Sequence, residues 1–348
     1  EGWLHTSPDG IHWSDPIVTT PVGDNTSFFY NPFRKKWCMS VRRWYAGLRT
    51  RFYTERDDFL NGVPWNQEQE EVLWQRIDNL ALPDPARPNH RVALYDVNVT
   101  PYESLMLGLF AIFRGPENHI CEAEGVPKTI DLEIGYSRDG FHFSRPDRTP
   151  FLEASRQLGD WNRAYLHAVG GVCMVVGDEV WIYFTGFSGE SPKLGKTDTG
   201  SPRRDWRGMY AGASTGLATI RRDGFVSMDA GAEGGVLTTN SVIFKASRLF
   251  VNVDNPHGEL KVELLVDGQP VAGLDAESCV PVSKDSTCCE VTWRSGIDLS
   301  RVANRSVQFR FHLKSGRLFS FWVTDKPNGA SAGYLGAGGP GYANGRDL

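Results

Sequence analysis

Several carboxylates stand beside segments that the sequence predicts as strands. Asp24 precedes a segment at 25–30, Asp96 lies within one at 92–100, Glu103 follows it, and Asp160 precedes one at 164–176. Glycoside hydrolysis needs two carboxyl groups around one site, one as the acid and the other as a nucleophile or base. Asp24, Asp96 and Glu103 are therefore the candidate catalytic residues.

Aromatic, arginine and histidine side chains near these acids are candidates for binding a sugar. Flat aromatic faces cover the C–H groups of sugars, and arginine recognises hydroxyls or acidic substituents. The substrate-binding candidates are Arg43, Trp44, Tyr102, Asp160, Trp161 and His167, with Tyr45 and Arg49 nearby. Each has a structural alternative: Asp24 and Asp160 as turn caps, and His167 as a packed core histidine.

A repeated word indicates how the chain is organised. The pattern S-x-D-G-Φ-H-aromatic occurs at 7–13 and 137–143, and a weaker copy lies at 221–225. Asp-Gly between apolar alternating segments is a strong hairpin signal, so Asp9, Asp139 and Asp223 are predicted to form turns.

Strand-like segments precede the second copy of this word in a regular order. Segments at 92–100, 105–113 and 130–136, followed by 141–144, predict a four-stranded antiparallel meander. The same order recurs at 164–176, 179–186, 216–220 and 225–228. An earlier block has strands at 25–30 and 37–41 and one predicted helix at 67–80. Repeated meanders of this length are typical of propeller blades.

These blocks give the predicted domains. They are propeller blades at 1–231 with a partial first blade, a β-sandwich at 232–328, and a Gly-rich, irregular tail at 329–348. Only about three and a half blades are visible, whereas propellers close with about four to eight. We therefore expect either a missing N-terminal segment or a partner chain to complete the propeller.

Composition excludes several function classes. A net charge of −5 offers no basic surface for nucleic acid, and no apolar segment is long enough to span a membrane. Scattered histidines and the lack of a C-x-x-C pattern predict no metal or cofactor. The sequence does not define the compartment, although a secreted or periplasmic location is favoured.

Four sequence segments together carry a family resemblance. They are the repeated word, Y-E-S-L-M-L-G at 102–108, G-D-E-V-W-I-Y at 177–183 and V-N-V at 251–253. Over nearly its whole length the chain resembles bacterial glycosyl-hydrolase-like proteins related to the invertase/levanase and arabinanase/xylosidase propellers. The resemblance implies an all-β fold, a five-bladed propeller followed by a sandwich, with Asp96 as an inner-strand aspartate and Glu103 as the acid.

The resulting hypothesis is a glycoside hydrolase acting on a poly- or oligosaccharide. The alternative is a non-catalytic carbohydrate-binding or assembly protein that retains the glycosidase propeller. A third hypothesis is a sialidase-like enzyme, because the repeated words resemble the Asp boxes of that class, although no arginine triad is recognisable.

Overall fold

The computed structural model describes residues 2–61, 63–124, 126–189 and 211–348. The predicted all-β class is confirmed, since the described residues form 22 strands and only three short helices. The N-terminal elements are β1 (Trp3–Leu4), β2 (Ile17–Val18), β3 (Ser27–Asn31), β4 (Lys36–Tyr45), β5 (Leu48–Arg56), α1 (Gln67–Glu70), β6 (Val72–Gln75), β7 (Ala93–Glu103), β8 (Leu105–Gly115), α2 (Asn118–Glu124) and β9 (Thr129–Ser137).

The remaining elements are β10 (Tyr165–Ala168), β11 (Met174–Val176), β12 (Glu179–Phe187), β13 (Ala213–Arg221), β14 (Met228–Ala230), β15 (Gly235–Thr238), β16 (Arg248–Asp254), β17 (Glu259–Val266), β18 (Gln269–Pro270), β19 (Asp285–Val291), a 3-10 helix (Leu299–Val302), β20 (Gln308–Lys314), β21 (Gly316–Thr324) and β22 (Tyr334–Leu335).

The chain divides into two compact units. Unit 1 comprises Glu1–Met174, Ile182–Ala218 and Tyr334–Ala337, and unit 2 comprises Val175–Trp181, Thr219–Gly333 and Gly338–Leu348. The domain bounds expected from the sequence, 1–231, 232–328 and 329–348, stay predictions.

Unit 1 contains two successive meanders. One is the four-stranded sheet β3-β4-β5-β6, and the other is β7-β8-β9 within a larger sheet in which β10 pairs with β9 in parallel. Phe29, Tyr53 and Trp74 of the first meander form one core with residues of β7 and β8, among them Val97 and Phe110. Face-to-face packing of successive meanders is how propeller blades associate, while the number of blades stays a prediction.

Unit 2 is a β-sandwich. Its two four-stranded sheets have the orders β14-β21-β16-β19 and β15-β20-β17-β18. Alternating side chains from both sheets, such as Val251, Val262 and Phe309, form a single core.

Several expectations about individual elements differ from the structure. The predicted helix at 67–80 ends after Glu70, because Val72–Gln75 pairs with β5 and Trp74 enters the core. Of the predicted strand at 225–228 only Met228 lies in a strand, and that strand, Met228–Ala230, pairs with β21. The tail at 329–348 is mostly irregular and contributes the two-residue strand β22, which pairs with the end of β7.

The repeated word forms the predicted turn in both complete copies. Asp9 Oδ2 lies 2.6 Å from His12 Nδ1, and Asp139 Oδ2 lies 2.7 Å from His142 Nδ1. In the second copy the following aromatics pack inward, since Phe143 lies 6.0 Å from Trp74 and 5.6 Å from Phe110 between ring centroids. The first copy presents Ile11 and Trp13 to solvent, at 76% and 61% exposure.

This contrast predicts unequal effects of equivalent truncations. Phe143→Ala should lower the free energy of unfolding by about 2–3 kcal/mol, because it empties part of the core between two sheets. Trp13→Ala should change it by less than about 0.5 kcal/mol, because the ring is mostly exposed. Urea denaturation of both variants measures this, and equal losses would show that the first copy is packed as tightly as the second.

Candidate functional site

One face of the β4–β5 hairpin carries three guanidinium groups and an indole. Arg42 lies directly opposite Arg51 in the strand register, and Trp44 lies opposite Arg49. Cross-strand partners share a face, and so do residues two apart on one strand. The four side chains therefore project from the same side of the hairpin.

Asp24 is held against this face by two of the arginines. Its Oδ1 accepts hydrogen bonds from Arg42 Nε at 2.5 Å and from Arg49 Nη1 at 2.9 Å. The preceding Gly23 allows this approach, because a Cβ there would lie 2.7 Å from the Arg42 carbonyl oxygen. The Asp24 side chain is nevertheless 47% exposed.

Arg51 joins the hairpin to β7 and to the turn before β3. The side chain is fully buried, at 0% exposure. Its Nη1 donates to the Asn25 carbonyl at 2.6 Å, and its Nη2 donates to the Tyr95 carbonyl and lies 3.5 Å from Asp96 Oδ1. One guanidinium thus fixes three segments of the chain.

A β-bulge places the Asp96 carboxylate at this guanidinium. The β7–β8 register shifts between Leu94 and Asp96, and bulges redirect side chains in this way. Asp96 is 2% exposed, and it accepts hydrogen bonds from the Val97 N–H at 2.7 Å and from Asn98 Nδ2 at 2.6 Å. Asp96 is therefore an internal group of this cluster.

His167 on β10 completes the cluster. Its Nε2 lies 3.1 Å from Asn25 Oδ1 and 3.6 Å from Asp96 Oδ2, and its ring stacks on Tyr165. Both neighbouring oxygens are acceptors, so Nε2 carries the proton of the neutral ring. Asn25 has a φ of +53°, in the left-handed region that asparagine tolerates better than most residues.

We call this cluster the Asp24 site. It consists of Asp24, Asn25, Arg42, Trp44, Arg49, Arg51, Asp96 and His167.

Charge and burial set the protonation states in the Asp24 site. Partial burial raises the pKa of Asp24, but Arg49 and Arg42 outweigh this effect and the net pKa is lowered. Burial lowers the pKa of Arg51 to about 10, so this arginine remains charged at neutral pH. Burial also lowers the pKa of His167, which Asp96 opposes and Arg51 reinforces, so the ring is neutral.

Four of the predicted site residues meet here: Asp24, Trp44, Asp96 and His167. Arg49, a neighbour in the sequence prediction, also belongs to the site, and Trp44 is 63% exposed beside it.

Arg43 lies on the opposite face of β4 and has a structural role. Its Nε and Nη2 donate to the two carboxylate oxygens of the buried Glu71 at 2.8 and 2.5 Å. Trp65 Nε1 also donates to Glu71, at 2.8 Å. The guanidinium of Arg43 is therefore part of an internal ion pair and does not face the Asp24 site.

Glu103 and Tyr102 are placed at the other end of β7. Glu103 ends the strand with a φ of +46° and pairs with Tyr334 of β22, and the buried Tyr102 pairs with Leu335. Seven residues separate Glu103 from Asp96, or about 23 Å at about 3.3 Å per residue. The structure does not bring Glu103 into the Asp24 site.

Asp160 and Trp161 lie in a turn before β10. The Asp160 N–H donates to the Gln157 carbonyl, and its own carbonyl accepts from the Arg163 N–H, each at 3.3 Å. The Trp161 ring lies 5.5 Å from the Phe184 ring between centroids and covers Gly186 and Gly216, where a Cβ would collide with the indole. Trp161 thus packs on neighbouring strands of unit 1.

Arg42, Arg51 and Asn25 belong to the Asp24 site but are not among the site residues predicted from the sequence. Alternation along β4 was the signal that could have found Arg42, because Trp44 and Arg42 share a face from which Arg43 points away. Arg51 could have been placed on the same face only if β5, which contains it, had been predicted as a strand.

Comparisons with known proteins give weak similarities. No family model and no curated protein matches the chain. An N-acetylgalactosamine deacetylase from F. plautii, solved with blood group B trisaccharide, is 15% identical over 60% of this chain and 53% of its own, with a TM-score of 0.37. A glycosyl hydrolase from Bacteroides ovatus is 12% identical over 47% and 43%, with a TM-score of 0.29. The chain spans about half the length of these two proteins.

A GH32 β-fructofuranosidase from Bombyx mori is similar over more of the chain. It is 10% identical over 91% of this chain and 71% of its own, with a TM-score of 0.32.

The part of the chain that the structure describes contains neither a membrane-spanning helix nor a cluster of metal-binding side chains. None of its helices combines the length and apolar character needed to cross a membrane. Within the same residues, no three or more His, Cys, Asp or Glu side chains are grouped so as to hold a metal ion.

The lowered pKa of His167 predicts how stability depends on pH. In the unfolded chain this histidine takes up a proton near pH 6.5, whereas in the folded chain its lowered pKa delays protonation to lower pH. The unfolded chain then binds more protons, so the free energy of unfolding decreases as the pH falls below about 6.5. The loss should not exceed about 1.4 kcal/mol per pH unit from this residue. Urea unfolding of wild type and His167→Gln between pH 7.5 and 5 measures the difference.

The exposed His257 provides the control for this comparison. His257→Gln should keep the wild-type pH dependence, whereas His167→Gln should flatten it. A His167→Gln profile parallel to wild type would contradict the assigned neutral state.

Proposed function

We propose that the Asp24 site binds a carbohydrate and that Asp24 supplies one of the two carboxyl groups of a glycoside hydrolase, as its base or nucleophile. One observation carries the proposal: Asp24, whose side chain is half exposed, is held by two arginines whose guanidinium carbons lie 5.9 and 5.7 Å from the centroid of the exposed Trp44 ring. Asp24 Oδ1 is held by Arg42 and Arg49, while Oδ2 has no hydrogen-bond partner among the described residues.

The indole and the carboxylate have complementary tasks. The exposed Trp44 offers a flat face for the C–H groups of a sugar ring, as carbohydrate sites require. Asp24 Oδ2 can accept a proton from a sugar hydroxyl or an attacking water, or attack the anomeric carbon itself. The lowered pKa of Asp24 keeps this carboxylate ionised at neutral pH, which is the form that each task needs.

Asp96 acts as a positioning residue in this proposal. Its buried carboxylate balances the charge of Arg51, and that guanidinium fixes the Asn25 backbone next to Asp24. Loss of Asp96 would therefore move Asp24 rather than remove a group that touches the sugar.

A second candidate function is carbohydrate binding without hydrolysis. Hydrolysis needs a second accessible carboxyl within about 10 Å of the first. Asp96 is 2% exposed, and the position of Glu103 at the far end of β7 does not support it as the acid at this site. These two observations favour the binding protein that the sequence left as an alternative.

The two functions are distinguished by measuring both release and binding on a panel of oligosaccharides. For a hydrolase, Asp24→Asn should reduce sugar release about 100-fold or more, the usual cost of losing a group of this kind. Glu103→Gln should stay within about threefold of wild type. Chromatography of released sugars and calorimetry of binding supply the two readouts.

Asp57→Asn is the matched control, because Asp57 is an exposed aspartate of unit 1 paired with Lys36. Binding without release, lost in Asp24→Asn and kept in Asp57→Asn, would support the second candidate. Release that survives in Asp24→Asn but is lost in Glu103→Gln would contradict the assignment of the site. Failure of every glycan to bind would contradict both functions.

A further inference from the structure

Two guanidinium groups at the Asp24 site share a single carboxylate oxygen. Arg42 Nε and Arg49 Nη1 both donate to Asp24 Oδ1. The partly exposed part of the site therefore holds two positive charges and one negative charge. Behind it, the buried Arg51 and Asp96 offset each other, and His167 is neutral.

Most of the donors of these two arginines remain unused. Within the described part of the chain, Arg42 makes no hydrogen bond through either Nη, and Arg49 makes none through Nη2. A guanidinium presents five N–H donors in a planar fork that matches the oxygens of a carboxylate or sulfate. The site thus has both the excess charge and the donors for a second anion.

Cation–π contacts with aromatic rings constrain the two arginines before any ligand binds. The Arg49 guanidinium carbon lies 4.3 Å from the centroid of the Tyr95 ring and 5.7 Å from that of Trp44, and the Arg42 carbon lies 5.9 Å from Trp44. Such contacts reduce the conformational freedom that a binding arginine must otherwise lose. An anion next to them would also lie beside the exposed face of Trp44.

We propose that the Asp24 site selects a glycan that carries an anionic substituent, a carboxylate or a sulfate ester. The sugar ring covers Trp44, the anion accepts from the free donors of Arg42 and Arg49, and Asp24 Oδ2 faces a hydroxyl or the reacting carbon. The inference rests on the proposed carbohydrate site and names the class of sugar that it accepts.

The test compares matched pairs of oligosaccharides by calorimetry on the full chain. One pair contains glucuronic acid or glucose at the same position, and the other pair is sulfated or desulfated. The charged member of at least one pair should bind at least tenfold more tightly at low salt, and the preference should shrink at 0.3 M NaCl, about twice physiological ionic strength. The two pairs distinguish the carboxylate from the sulfate.

Variants assign the preference to the two arginines. Arg42→Gln and Arg49→Gln should each reduce the preference about tenfold, and Arg49→Lys should restore part of it because it keeps the charge. Arg34→Gln is the control, because this substitution also removes one positive charge. Arg34 lies outside the Asp24 site and pairs with Glu55 of β5. Thermal unfolding midpoints within about 3 °C of wild type confirm that the variants fold.

The possible results distinguish failure of this inference from failure of the proposed function. Equal binding of charged and neutral members overturns the anionic class and leaves the carbohydrate site standing. A preference that is unchanged in both glutamine variants overturns its assignment to Arg42 and Arg49, and with it the inference. Binding of neither member of either pair, nor of any glycan on the panel, overturns both.

Discussion

The Asp24 site depends on one buried guanidinium. Arg51 contacts the Asn25 carbonyl, the Tyr95 carbonyl and the Asp96 carboxylate, and so ties the turn before β3 and the β4–β5 hairpin to β7. Burying such a pair costs desolvation energy that the attraction between its charges often does not recover. Its contribution is therefore positional: it sets where the neighbouring side chains emerge.

The positions of the exposed side chains of the Asp24 site follow from this arrangement. Once Arg51 is fixed, strand alternation places Arg42 and Trp44 on the same side, and the turn at Asn25 brings Asp24 against them. Unit 1 has a second buried network, in which Arg114 pairs with Asp131 and Glu133. Burial raises the pKa of Glu133 despite its arginine partners, yet its full burial leaves no carboxylate for a ligand, so perturbed acids alone do not mark a site.

Local patterns predicted much of the fold, and tertiary contacts decided the rest. Asp-Gly turns and alternating apolar residues located β7, β8 and β9 to within a few residues, because those signals are local. The predicted helix at 67–80 does not continue past Glu70, because the strand conformation buries Trp74 against Phe29 and Tyr53. The sequence neighbourhood brought Asp24, Trp44, Asp96 and His167 together as candidates, and the structure places them in one cluster. Strand alternation puts Arg42 on the face of Trp44 and Arg43 on the opposite face.

The most direct test of this account is hydrogen exchange on Arg51→Leu, with Arg43→Leu as the control that breaks the buried pair on the opposite face of the hairpin. Loss of Arg51 should accelerate amide exchange at least tenfold at Asn25, at 42–51 and at 96–98, while β9 stays protected. Loss of Arg43 should instead act around Trp65 and Glu71. Unchanged exchange at Asn25 and 96–98 in Arg51→Leu, or the same pattern in both variants, would contradict the claim that Arg51 positions the Asp24 site.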